Sequence, residues 1–166
     1  MDLIEERIDV AIRIGRLEDS SLVARQLGNT SLLVCASADF LLEHGEPTQP
    51  QQLVDYACVL DSNYPGGTHW TLGTGENAIT TEITTNLTVN SARAARDLVL
   101  AGHGIGLLPS FVVADDISNG KLKQLLADYP FEPMGIYAVY PHRKHLSAKV
   151  RLFIEAAIAY CSTMMS

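Results

Sequence analysis

Residues 87–126 read LTVNSARAARDLVLAGHGIGLLPSFVVADDISNGKLKQLL. The order is strand, helix, buried strand and second helix, with almost no loop between them. Leu87, Val89 and the run Ile105, Leu107, Leu108 have the strand pattern, whereas Ala94, Ala95, Leu98, Val99 and Ala101 recur at helical spacing. Asn90 or Ser91 stands where an N-cap belongs, and Gly102 lies just past the helix end. Strands and helices alternating so tightly predict an open α/β sheet. A helix that starts directly after a strand leaves backbone N–H groups unpaired at the sheet's carboxyl edge, a place suited to a small anion.

Working outward, Asp9 to Ile14 is an apolar run fit for a buried parallel strand stopping at Gly15, after the end of a helix over Asp2 to Arg7. Leu22 to Leu27 and Leu32 to Ala36 are strand-like, and a helix follows from Ser37 or Asp39 to His44. A short helix is expected around Gln51 to Tyr56, with strands at Val59–Leu60, Thr68–Leu72 and Ile79–Ile83. The C-terminal part predicts a strand over Ile136–Tyr140 and a helix from Ser147 to about Tyr160. That helix carries Val150, Phe153, Ile154, Ala157 and Ile158 on one face.

Composition narrows the function. The chain has 166 residues, 47% of them apolar, enough for one domain or two small lobes. Its formal net charge of −7 leaves no basic footprint for phosphate neutralisation, so direct DNA binding by this piece is disfavoured. Cys35, Cys58 and Cys161 lack C-x-x-C spacing and read as buried thiols of a reducing compartment. No signal-peptide pattern and no apolar run of ~20 residues is present, so a cytoplasmic location away from the membrane is expected.

Several chemical motifs fail on context. Gly102-His103-Gly104-Ile105-Gly106 follows a helix and precedes a strand, the reverse of a nucleotide loop; its glycines read as a helix cap and a tight lead into the strand. His142 and His145 have no third ligand at a sensible spacing, so no metal is expected. Asp115-Asp116 point about 100° apart on a helix and read as a solvated face. There is no G-x-S-x-G elbow and no cofactor motif, which disfavours an enzyme. Trp70 reads as a core or edge-strand packing residue.

Five segments in chain order resemble the effector-binding domain of LysR-type bacterial transcription regulators. They are DLIEERIDVAIRIG at 2–15, SSLVARQLG at 20–28, LLVCASADFLLEHGEP at 32–47, the stretch 87–126, and IYAVYPHRKHLSAKVRLFIEAA at 136–157. The match is least clear from Asp61 to Glu82, and it begins in the middle of the family pattern. The winged helix-turn-helix, the long dimerisation helix and the opening strand and helix of the effector domain are not matched.

The resemblance implies a two-lobed α/β fold like that of periplasmic binding proteins, with residues 1–36 and 109–166 forming an incomplete first lobe and 37–108 the second. Hinge crossings are expected near 33–37 and 106–110, at Cys35, Ala36, Leu108 and Pro109. It also implies a small-molecule effector held between the lobes by Arg13, Ile14 and Gly15 on one side and by Val89, Asn90, Ser91 and Ala92 on the other. For Asn90 and Ser91, plain N-capping and ligand contact both remain open. A homodimer or homotetramer is implied, with DNA reached only through the absent N-terminal part. A transport solute-binding protein of the same fold is the alternative reading. An incomplete first lobe would expose an apolar sheet edge and invite self-association.

Overall fold

The computed structural model describes residues 8–15, 22–141 and 147–164, with side chains to residue 161. The expected helix end at Asp2–Arg7 and the pair His142 and His145 lie outside the described residues. The chain divides into two compact units, Met1–Thr30 with Pro133–Ser166, and Ser31–Glu132.

The contiguous unit is built on a five-stranded sheet. Its strands are β3 (Leu32–Ser37), β4 (Ala57–Asp61), β7 (Thr84–Val89), β8 (Ile105–Pro109) and β9 (Leu122–Leu125), in the order β7-β4-β8-β3-β9. β7, β4 and β8 run parallel, while β3 is antiparallel to both β8 and β9. Two helices follow parallel strands directly: α2 (Ala92–Leu100) after β7, and α3 (Ser110–Ser118) after β8. Their inward residues Ala95, Val99 and Val113 pack with Cys35, Val59, Leu108 and Leu122 in one apolar cluster. A short helix α1 (Ala38–His44) follows β3, capped by the Ser37 hydroxyl, which accepts the Phe40 N–H. The hairpin β5 (His69–Leu72) and β6 (Ile79–Glu82) buries Trp70 and Leu72 beside the 3-10 turn Pro50–Asp55. Trp70 is therefore a packing residue, and its indole N–H meets no acceptor among the described residues.

The domain boundaries differ from those expected. Leu33 pairs with Leu108 and Cys35 with Gly106 inside the central sheet, so Cys35, Ala36, Leu108 and Pro109 are strand residues rather than crossings. Cys35, Ala36 and Leu108 are wholly buried. The unit ends only at Glu132, because β9 returns to pair with β3 and keeps 110–132 with this sheet. β9 has no counterpart in the sequence reading, since LKQL is four residues long with two polar ones in the middle.

The other unit has three strands, β1 (Ala11–Gly15), β2 (Leu22–Thr30) and β10 (Met134–Pro141), in the order β1-β10-β2, all antiparallel. The helix α4 (Ala148–Met164) packs through Val150 and Ile154 on Leu27, Ile136 and Ala138. The expectation of a buried parallel strand at 9–14 is corrected on both counts. β1 pairs antiparallel with β10 at the sheet's edge, and Ile12 and Ile14 remain 47% and 45% exposed. Their register opposite Ala138 and Ile136 puts them on the face that α4 covers, but at its rim. Phe153, expected inward, is exposed, because it sits about 100° around the helix from Ile154.

Candidate functional site at the carboxyl edge of the parallel strands

In an open α/β sheet the ligand position is outside the carboxyl ends of the parallel strands. Here those ends are Asp61 on β4, Val89 on its neighbour β7 and Pro109 on β8, of which the first two are joined. The Ser62 N–H donates to the Val89 carbonyl at 2.8 Å, extending the pairing by one bond. The chain then turns on Asp61, whose Oδ1 accepts the Asn63 N–H at 3.0 Å and the Asn63 Nδ2 at 2.9 Å. That Nδ2 also donates to the Asn90 carbonyl at 2.9 Å. Asn63 thereby ties the turn after β4 to the segment that leads into α2.

Ser91 is the N-cap of α2, in extended backbone (φ −152°, ψ 125°), and its hydroxyl makes no capping bond. Asn90 is engaged through its carbonyl and does not cap. The first-turn N–H groups of Ala92, Arg93 and Ala94 therefore have no side-chain cap. No acidic residue stands in that turn, and Arg93 is exposed there, so the helix dipole and Arg93 favour an anion, while the Asp61 carboxylate on the adjoining turn opposes it. Of the two readings left open for Asn90 and Ser91, side-chain capping is the one the geometry does not use.

The expected set Arg13, Ile14 and Gly15 lies in the other compact unit, at the exposed end of β1. Arg13 stands opposite Tyr137. Gly15 has φ 130°, a conformation that favours glycine, and a Cβ there would meet nothing within 4 Å.

The glycine run behaves as a structural device. The Gly102 N–H bonds the Val99 carbonyl and the His103 N–H the Leu98 carbonyl, which closes α2 in a Schellman motif. One sequence expectation fails here. Asp115 is solvated, but Asp116 is 3% exposed and receives a two-pronged bond from Arg96, Nε to Oδ2 at 2.5 Å and Nη2 to Oδ1 at 2.8 Å. The guanidinium hydrogen bonds hold the Asp116 carboxyl below the ordinary carboxylate range, against the opposing effect of burial.

Burial pushes the Cys35 and Cys58 thiols up to about 12, so neither supplies a thiolate near neutral pH. A concavity of about 570 Å³ lies between loop residues Gly73–Ile79 and Asp128–Pro130. It carries the carboxylates of Glu76 and Asp128 and no basic side chain, which makes it a poor home for an anion. Among the described residues no three His, Cys, Asp or Glu side chains come together as a metal site, and no helix is long and apolar enough to cross a membrane.

The residues that sequence reasoning missed are Asp61, Asn63 and Arg96. The signal for the first two was the D-S-N triplet directly after the apolar run CVL, a turn pattern at a strand's carboxyl end.

An open α/β sheet with an uncapped helix start at its carboxyl edge defines a small-molecule-binding class of domain. The LysR substrate binding domain family matches residues 1–162, and the chain belongs to that family. It is 33% identical to the HTH-type transcriptional regulator DmlR of Escherichia coli K12, over 93% of this chain and 50% of that one. It is 34% identical to an uncharacterized HTH-type transcriptional regulator of Haemophilus influenzae, over 90% and 52%. The chain thus spans about half the length of the curated relatives it matches. Among solved structures, the regulatory domain of CrgA from Neisseria meningitidis superposes with TM-score 0.84 at 31% identity, covering 95% of this chain and 78% of that one. Full-length AphB of Vibrio cholerae gives 0.79 at 30%, covering 96% and 54%. The expected α/β, periplasmic-binding-protein-like fold class is that of these regulatory domains.

Proposed function

We propose that this chain is the effector-sensing part of a LysR-family transcription regulator, and that it holds a small anionic metabolite at the start of α2. The observation that carries this reading is the uncapped first turn of α2 at the joined carboxyl ends of β4 and β7. Val89, Asn90, Ser91 and Ala92 are the proposed contacts, with Asn63 fixing the turn beside them. Arg13, Ile14 and Gly15 at the end of β1 are proposed as effector contacts in their own right. Binding does not turn the effector over. It favours one conformational state of a cytoplasmic oligomer whose DNA contact comes from a helix-turn-helix segment outside this chain. The curated relatives are transcription regulators, which favours this reading over a transport solute-binding protein.

The test is a thermal-shift and calorimetric screen of small mono- and dicarboxylates against the wild type and Ala92→Pro. Proline is tolerated at the first helical position, and the extended Ser91 is compatible with a following proline, so the variant removes one N–H and keeps the helix. A bound acid recovered chemically unchanged, with affinity about tenfold weaker in Ala92→Pro, is expected from the loss of one charge-assisted hydrogen bond. Equal affinity in the two proteins would place the ligand elsewhere.

Self-association follows from β1. Its outer edge and exposed Ile12 and Ile14 are what a second copy would cover, and edge strands of this kind pair between chains. Light scattering at tens of micromolar is expected to give at least a dimer mass, reduced by Ile12→Lys with Ile14→Lys; a monomer in the wild type overturns this.

A further inference from the structure

The helix that presents the proposed anion site follows a strand at the margin of its sheet. α2 follows β7, which among the described residues is an edge strand paired with β4 alone, and that pairing is irregular at Cys58/Val59. By contrast α3 follows β8, inside the sheet, and its first N–H is fixed by a 2.9 Å bond from Ser110 to the Ser31 carbonyl. The apolar contact between the helices is made by small or branched residues, Ala95, Val99 and Val113, whose attraction has no direction. It resists separation of the helices without itself fixing the angle between them.

Arg96 supplies the missing direction. It is the fifth residue of α2, about 6 Å along the axis from Ala92 at 1.5 Å per residue. Its guanidinium grips both oxygens of Asp116 on α3, a planar fork that fixes distance and angle together. Asp116 is almost wholly buried, whereas the Arg96 side chain is 32% exposed. An apolar pair of the same volume would hold the helices together as well, so cohesion is not the distinctive contribution of the ion pair.

We infer that the Arg96–Asp116 pair is a positioning element for the effector site. It locks α2 to the better-anchored α3 and so fixes where the N–H groups of Ala92, Arg93 and Ala94 point. This rests on the reading of the α2 start as the anion site.

The test uses the ¹⁵N-labelled chain titrated with sodium sulfate at constant ionic strength and 10 °C, following the amides of Ala92, Arg93 and Ala94. Two variants are compared, Asp116→Asn and Arg96→Lys. Asp116→Asn separates the possible causes by sign. Through-space electrostatics alone would make sulfate bind more tightly once a negative charge is removed, whereas loss of positioning weakens it. The expected result is binding about five- to tenfold weaker in both variants, with resonances outside α2 and α3 unmoved. Arg96→Lys keeps both charges and loses only the fork, so it carries the test if Asp116→Asn does not fold. Sulfate affinity unchanged or increased in a folded variant overturns the positioning role and leaves the anion site standing. Absence of any sulfate-dependent shift at these amides in the wild type overturns the site itself, and the positioning role with it.

Discussion

Gly104→Ala is expected to cost about 3–5 kcal/mol, combining backbone strain with overpacking against main chain. Gly104 has φ 147°, and a Cβ built on it would lie 2.4 Å from the Ala57 carbonyl oxygen and 2.9 Å from its carbon. Both atoms belong to the backbone at the start of β4, which cannot yield as a flexible side chain would. The parallel pairing of β4 with β8 begins one residue further on, at Cys58 and Ile105. Relief of the clash would therefore pull apart the strands that carry Asp61 and support α2. Thermal unfolding should fall by about 10 °C, at about 2–4 °C per kcal/mol for a chain of this size. Gly120→Ala is the control. It has φ 71° and open space around its Cβ, so it should cost only about 1–2 kcal/mol for the left-handed conformation. Equal losses in the two variants would show that contact with Ala57 is not what requires glycine at 104.

Asp116→Ala is the second large effect. It strips a buried carboxylate from Arg96, and breaking such a pair costs about 3–5 kcal/mol when both charges are buried. Arg96 is one-third exposed and can turn to water, so a loss of about 2–3 kcal/mol is expected here. The pH dependence has a definite sign. Because the native carboxyl titrates lower than in the unfolded chain, its stabilisation is fully present above the ordinary aspartate value of about 3.9 and disappears as pH falls through the depressed native value. The gap in urea midpoint between wild type and variant should be constant from pH 8 to 5 and close only in acid below about pH 4. A gap that closes between pH 7 and 5 would assign the effect to another group.

The contrast between Asp116 and its neighbour shows what local sequence can carry. The 100° separation of adjacent helical residues correctly forbids Asp115 and Asp116 a common direction. Which of them turns inward depends on Arg96, twenty residues away, and no window over 110–118 contains that information. The strand–helix–strand–helix order of 87–118 was legible because its elements are periodic and bounded by glycine or serine, whereas β9 at the end of the stretch was not. Strand partners were not. The pairing of Leu32–Ser37 with both Ile105–Pro109 and Leu122–Leu125 moved the unit boundary from the expected crossings to Thr30/Ser31 and Glu132/Pro133. At the site, the α2 start was visible from Asn90 and Ser91 standing between strand and helix. Asn63 was not, since it lies in the segment where resemblance was least clear and reaches Asn90 only through the parallel pairing of β4 with β7.

The way the two compact units divide the chain sets a timetable for synthesis. All strands of the five-stranded sheet have left the ribosome once Leu125 has emerged, so that unit can close while the rest is still being made. β1 and β2 have no such option. Their common partner β10 lies roughly 100–130 residues downstream, a delay on the order of ten seconds at bacterial elongation rates. For that interval β1 and β2 lack the strand with which both pair. The nascent chain is thus vulnerable to misassembly at β1 and β2 until β10 emerges, and slowing translation between β2 and β10 should lower the yield of native protein more than slowing it after β10 has emerged.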